Sequence, residues 1–540
     1  MEETLKKFKL DKNVFKNFDD IMAMHLDTVE ELTVSFIEND SKIFNIISLF
    51  TKVKTLIIEG DNRLNVGGIL TSICKPYILE NLILEGVKLP NKVSMKKLIN
   101  LKMISLNNIG YCDIKEFFDS IPKPDKIRAI TLNSICLYKN SINILKIFKE
   151  LEIINLIKVE NGCLKNLDFL LENKKLEKVN IENNTIEFKD AATLLKGNYK
   201  KNIVLTIPTV NKNSSITNTL EVDKNGEVNL TINIADLEDC VKQMNLSKID
   251  HLLLIIDQKI NIRPYIKYLK KVKKNISIAI KDVSFLDKEQ AELFKETLKI
   301  KYVNILDFDG VFHYDENKNC YLIDRYIKIR ECIDELIEKV SSHSLEIEKF
   351  LEIYKILAEH ITYDEFLEDN IENYNSANES KASNLENGLI EKHCVNSGFA
   401  EILKNCLACL NIEANIIVGN LIKTNEEISW NQVKIENNWY NVDIALDSKT
   451  IINKSMLKKK APYCLVNDKE FSKTHKRKYG KANYCVYTVN RKAVNVFFRT
   501  GMFSNKVTKL YIYNALNNLK RMLSINKRKA LPRGENDEDF

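Results

Sequence analysis

The sequence predicts an α/β protein in two parts: a stacked array of parallel strands with helices on its outer side, then an α+β domain. Three observations carry this. A six-residue pattern, apolar at positions one, four and six, recurs at starts 24, 26, 22, 26, 24 and 25 residues apart. The recurrence ends near residue 310, where two amphipathic helical stretches begin. A short helical run follows, then the strand-like runs ANIIVGN, SWNQVKI and NWYNVDIALD.

The bulk properties set limits on function. A chain of 540 residues exceeds what one core organises. Its 44% hydrophobic and 29% charged residues are ordinary for a soluble protein. A net charge of +7 permits an acidic partner but does not call for nucleic acid. No apolar run approaches the ~18 residues of a membrane span, and the N-terminus carries no signal-like apolar core. The expectation is a cytoplasmic protein with its 12 cysteines reduced. Cys406 and Cys409 form a CxxC, but no second ligand pair completes a zinc site, so they read as helix packing. No metal and no cofactor is expected.

Residues 1–28 are expected to form a helical cap. The array then runs over residues 29–308. VEELTV starts at Val29, VKTLII at Val53, LENLIL at Leu79 and LKMISL at Leu101. IRAITL follows at Ile127, LEIINL at Leu151 and LEKVNI at Leu176. Weaker copies near Asn202, Glu227, Ile249, Asn275 and Ile300 bring the total to about twelve units. A lone unit cannot bury its apolar face, so stacking makes the fold. Segments such as SKIFNIISLF have helical spacing and belong on the convex side.

This L-x-x-L-x-L pattern at a period of 20–29 residues resembles the leucine-rich repeat family. The resemblance implies a curved surface that binds a protein partner. Position nine, often Asn or Cys in that family, is here Val87, Ile109, Ile135 or Val159, with Asn184 the exception. Irregular turns are therefore expected.

Residues 309–324 read as a linker. Asp307, Asp309 and Asp315 fit no EF-hand spacing. Over residues 325–490 the succession EIYKILAEHITYD, LIEKHCVNSGFAEIL, NIEANIIVGN and SWNQVKIENNWYNVDIALD resembles the transglutaminase-like superfamily, a papain-like thiol-enzyme fold. APYCLVNDKEFSKTHKR resembles a segment found downstream in bacterial members.

The resemblance implies a Cys-His-Asp triad, with the nucleophile at a helix start where N–H groups favour thiolate. The family's G-V-C-x-G-[YF]-A falls on C-V-N-S-G-F-A, which puts Cys394 at the glycine and Asn396 at the nucleophile. Its H-A-W-N falls on I-S-W-N, so Ile428 stands at the histidine, while Trp430 and Asn431 match. Asp443 stands at the aspartate, and Trp439 lies in the same motif. The expectation is a pseudoenzyme, with Asn396 turned into a helix N-cap and Asp443 left without an imidazole. The alternative is a displaced nucleophile at Cys394. His475, in the charge run SKTHKRKYGK, reads as part of a solvated face. Residues 491–540 are expected to form a basic helix and an acidic tail.

Overall fold

The computed structural model describes residues 6–500 apart from 16–20, 22–23, 36–40, 62, 91–94, 111–113, 138–140, 161–162, 210–216, 306–319, 341, 344, 365–384, 452–459 and 480–482. The chain divides into two compact units: residues 1–255 with 260–277, and residues 256–259 with 278 onward.

Each recurring pattern in the sequence becomes a strand. The seven strong copies form β2 (Glu31–Ser35), β3 (Thr55–Glu59), β4 (Asn81–Glu85), β5 (Met103–Asn107), β6 (Ala129–Cys136), β7 (Ile153–Glu160) and β9 (Lys178–Ile186), with a two-residue β8 (Cys163–Leu164) beside β9. They pair in parallel and in sequence order, with β7 next to β9. Positions four and six of each copy, such as Leu82 and Leu84 or Ile104 and Leu106, are fully buried.

The stretch expected as a helical cap instead opens with another strand. In β1 (Lys7–Asp11) the period-two alternation of KFKLD buries Leu10, and the strand pairs in parallel with β2. The turns are also more regular than position nine suggests. Gly86, Asn108, Ser134, Lys158 and Asn183, each at position eight, have φ of 66, 51, 52, 47 and 54°. This left-handed kink turns the next side chain inward, and Val87, Ile109, Ile135 and Val159 are all buried. Apolar packing there replaces a side-chain hydrogen bond. At Gly86 the kink also needs a bare Cα, because a Cβ would lie 2.6 Å from the Gly60 carbonyl oxygen. Asn184 bonds backbone as its type predicts: Oδ1 accepts from Val159 N at 2.8 Å, and Nδ2 donates to Leu156 O at 2.8 Å and Glu182 O at 2.7 Å.

The weaker copies form β10 (Lys200–Ile207), β12 (Val228–Asn233), β13 (His251–Ile256), β14 (Asn275–Ile280) and β15 (Tyr302–Ile305). One strand has no counterpart in the repeat pattern. β11 (Asn218–Val222) lies antiparallel between β10 and β12, joined to β12 by the turn DKNG with Gly226 at φ 82°. On the strand face opposite the core, Asn81 Nδ2 donates to Thr55 Oγ1 and Asn155 Nδ2 to Thr131 Oγ1, both at 2.9 Å.

The second unit begins earlier than the sequence suggests. The last residues of β14 pair with β15, and β15 pairs antiparallel with β16 (Cys320–Leu322), so part of the expected linker is strand. The first long helix, α1 (Ile323–Val340), packs on this region, with Tyr326 Oη donating to Leu286 O at 2.7 Å. Burying the apolar face of α1 thus draws residues 278–305 into the second unit. The three linker aspartates lie outside the described residues.

α2 (Glu346–His360) follows, then β17 (Thr362–Tyr363), β18 (His393–Cys394) and α3 (Asn396–Cys409). A four-stranded antiparallel sheet runs in the order β21 (Asn438–Val442), β20 (Glu427–Ile435), β19 (Ala414–Leu421), β22 (His475–Tyr479). α4 (Ile444–Ile451) and α5 (Arg491–Thr500) complete the unit. α5 docks in cis: Phe498 meets Tyr354 edge-on at 6.0 Å, and the Arg491 guanidinium donates to the carbonyls of Ala461 and Leu465. Residues 501–540 lie outside the described residues. Among the described residues no helix is long and apolar enough to cross a membrane.

Candidate functional site

The positions singled out in the sequence lie on the start of α3, on β20 and at the end of β21. Asn396 is the first residue of α3, and Val395 is its N-cap, with no side-chain capping bond. The expected cap is therefore absent. Asn396 Oδ1 instead accepts from Ser429 N at 3.1 Å, which ties the helix start to β20. A second tie sits one turn on, where Asn431 Nδ2 donates to Ala400 O at 2.9 Å.

Ile428 is buried in an apolar cluster with Ile417, Trp430, Val466 and Phe471. Trp430 is 1% exposed, and the far edge of its six-membered ring lies against Gly419, where a Cβ would stand 2.6 Å from Cη2. Trp439 is not part of this cluster. It pairs with Lys434 across β20 and β21, with the Lys434 ammonium 5.9 Å from its ring centre.

Cys394 lies on β18, paired with Tyr363, and is fully buried. Burial, with Asp364 adding to it, pushes its thiol well above the ordinary range. A thiol so placed supplies no thiolate near neutral pH. Neighbouring residues on a strand point to opposite faces, so the His393 ring faces away from that sulfur. His393 Nδ1 lies 3.2 Å from Asp364 Oδ2 but out of hydrogen-bond alignment. In the CxxC, Cys406 is buried, and the Cys409 sulfur accepts from Arg330 Nη1 at 2.8 Å, so both belong to helix packing. Among the described residues no group of His, Cys, Asp and Glu could hold a metal ion.

Asp443 departs most from expectation, because it has an imidazole partner. Its Oδ1 accepts from Leu446 N at 2.9 Å, capping the first turn of α4. Its Oδ2 lies 3.0 Å from His475 Nε2, with the two side chains 2% and 1% exposed. His475 is therefore in the interior rather than on a solvated face. It stacks on Phe471 with ring centres 3.8 Å apart, and Trp430 meets it edge-on at 5.2 Å. Its Nδ1 lies 2.8 Å from Thr474 Oγ1.

The chain path explains this meeting. Val466 pairs with Asn441 on β21, and Asp443 N donates to Tyr463 O at 3.2 Å. Asn467 then caps the short helix Asp468–Phe471, accepting from Glu470 N at 2.9 Å, and the chain turns into β22. Residues 463–475 thus run from beside β21 to the opposite edge of the sheet and bring the imidazole back to the carboxylate. The sequence held one clue. Asp443 stands at a motif position whose histidine is missing, and His475 is the only histidine after it.

A second carboxylate, Asp447, is fully buried one turn into α4. Tyr354 Oη donates to Oδ2 at 2.8 Å and Tyr463 N to Oδ1 at 3.0 Å. Burial nevertheless holds its pKa well above the usual carboxylate range.

No known family profile matches the chain, and no curated protein matches it. Solved structures do. A transglutaminase aligns with 25% of this chain and 35% of its own, at 21% identity and a TM-score of 0.22. A protein assigned as a cysteine protease from Cytophaga hutchinsonii aligns with 22% of this chain and 37% of its own, at 17% identity and a TM-score of 0.18. An internalin from Listeria monocytogenes aligns with 58% of this chain and 86% of its own, at 10% identity and a TM-score of 0.29. The chain spans little more than a third of the first two. It is similar in part to transglutaminase-like and to internalin structures.

Proposed function

We propose that the protein is a binding or scaffold protein. Its repeat array is the recognition surface, and its second unit is a transglutaminase-like domain without thiol chemistry. One observation carries the second half: no position of the thiol triad holds a usable thiolate. Asn396 is engaged with Ser429 N, Ile428 is packed in the apolar cluster, and Cys394 is buried with its thiol pushed up. This also disfavours Cys394 as a displaced nucleophile, since the sulfur faces the core rather than a substrate.

The array reading rests on its open strand face. The half-buried Ile57 and Ile83 and the exposed Ile153 lie there beside Glu59 and Glu85, an apolar surface edged with charge that suits a protein partner. Partners retained by the full chain are compared with those retained by Ile83→Glu, after both proteins show the same melting temperature. A partner held by the wild type and lost by the variant supports the reading. Equal retention by both refutes recognition through this face.

A further inference from the structure

We propose that Thr474 is an activated hydroxyl that accepts acyl or phosphonyl groups from activated esters, with His475 as its base and Asp443 orienting that base. The inference goes beyond the binding reading and does not depend on it.

The geometry has the three parts such a site needs. Oxygen, imidazole and carboxylate form one line, with 2.8 Å from Thr474 Oγ1 to His475 Nδ1 and 3.0 Å from His475 Nε2 to Asp443 Oδ2. A nucleophile within hydrogen-bond reach of a base, itself held by a third group, is the general signature of covalent catalysis. The base role requires the ring proton on Nε2, toward the carboxylate, which leaves the Nδ1 lone pair toward the hydroxyl. The half-buried Tyr463 ring meets the same imidazole edge-on at 5.3 Å. The Thr474 hydroxyl also donates to Phe471 O at 3.1 Å, a turn-closing bond that its proton leaves for the nearer imidazole nitrogen when the oxygen attacks.

Access fits as well. Thr474 and Tyr463 are half-buried, and Ser472 and Lys473 beside them are exposed, while the base and carboxylate are sealed from water. Trp430 Nε1, on the tryptophan that packs against the same imidazole, is a buried donor with no partner.

In the reaction, Thr474 Oγ attacks the carbonyl carbon of an activated ester as its proton passes to His475 Nδ1. The tetrahedral adduct collapses, the ester C–O bond breaks, and the leaving alkoxide or phenoxide takes the proton from the imidazolium. Nothing is oxidised or reduced.

The test uses the folded full chain with a fluorophosphonate and with p-nitrophenyl acetate, and locates adducts by peptide mass spectrometry. A single adduct on Thr474 is expected. It should form at least ~100-fold more slowly in His475→Gln, the low end of what a general base contributes. Thr474→Ser should label and Thr474→Val should not, and urea-unfolded wild type should stay unlabelled. The serine and valine variants and the unfolded control decide the matter even if the glutamine variant fails to fold. No adduct at Thr474 in the folded wild type overturns the proposal and leaves the line of residues a structural strut. Labelling that is equally fast in folded His475→Gln or in unfolded wild type also overturns it.

Discussion

Replacing His475 by Phe should destabilise the second unit far more than replacing Asp443 by Asn, although each change removes one member of the same pair. The introduced phenyl ring would stack on Phe471 as the imidazole does, so little packing is lost. The carboxylate is then left 2% exposed with no partner on Oδ2. Breaking a buried pair in this way costs about 3–5 kcal/mol. In Asp443→Asn the amide oxygen still accepts from Leu446 N. Its Nδ2 faces an imidazole that shifts its proton to Nδ1 and donates to Thr474, so the cost falls to about 1–2 kcal/mol, one charge-assisted hydrogen bond made neutral. The double variant His475→Phe with Asp443→Asn should recover part of the loss, a coupling of about 1–3 kcal/mol. Urea unfolding followed by tryptophan fluorescence reads this unit alone, because both tryptophans of the chain, Trp430 and Trp439, lie in it. With a slope of about 2–3 kcal/mol per molar urea, the midpoint should fall by about 1–2 M for the Phe variant. A loss below about 1 kcal/mol for His475→Phe, or an equal loss for both single variants, would refute the reasoning that Asp443 depends on the ring.

Three further outcomes follow from neighbouring groups. Asp447 has its folded pKa raised by burial, so it favours folding below the ordinary carboxylate range and progressively less as pH rises toward its folded value. Asp447→Asn should therefore flatten the decline in stability from about pH 4 upward, read as urea midpoints across pH; an unchanged slope would count against a strained carboxylate. Cys74 is exposed while Cys394 and Cys406 are buried with raised thiols, so iodoacetamide at pH 8 should modify Cys74 first and reach the other two only on unfolding. Early labelling of Cys394 would reopen the displaced-nucleophile reading. Gly419→Ala would place a methyl 2.2 Å from Lys476 O and 2.6 Å from Trp430, so it should cost about 1–3 kcal/mol or more and shift the tryptophan emission.

The array was legible because its signal is local. Positions one, four and six of the seven strong copies carry their own burial pattern in sequence, and the structure places a strand at each of them and at the five weaker copies. What escaped has other causes. The left-handed turns at position eight are a backbone property, and Ser134 and Lys158 give no residue-type hint of them. β11 was hidden because a hairpin strand need not keep the repeat register, although DKNG marks its turn. In the second unit the motifs located Asn396, Ile428 and Asp443 in neighbouring elements, but side-chain partners across a sheet are not encoded by spacing. Asn396 reads as a cap by type and bonds a neighbouring strand instead. His475 reads as solvated by its lysine and arginine neighbours, yet it is buried at the start of its strand while Lys476, Arg477 and Lys478 after it are exposed.

The position of His475 also decides what would be needed to install thiol chemistry here. The direct design pairs Asn396→Cys with Ile428→His, filling the two positions the transglutaminase-like pattern assigns. That double variant should show no acylation at position 396. An imidazole at 428 would enter a cluster of Ile417, Trp430, Val466 and Phe471, and the carboxylate oxygen that should orient it is held by His475 Nε2 at 3.0 Å. A buried ring nitrogen without a partner costs about 1–3 kcal/mol, so the new ring would stay neutral and poorly aligned, and the cysteine would have no base. Adding His475→Phe frees Oδ2 while leaving its Oδ1 in the cap of α4, and only that triple variant should show burst acylation by a p-nitrophenyl ester at the new cysteine. The readout is acylation at position 396 located by peptide mass spectrometry, near one per chain for the triple variant and near zero for the double, which separates it from any adduct on Thr474. Full acylation at position 396 in the double variant would mean that Asp443 can serve two imidazoles, and that the buried pair does not control the chemistry of this unit.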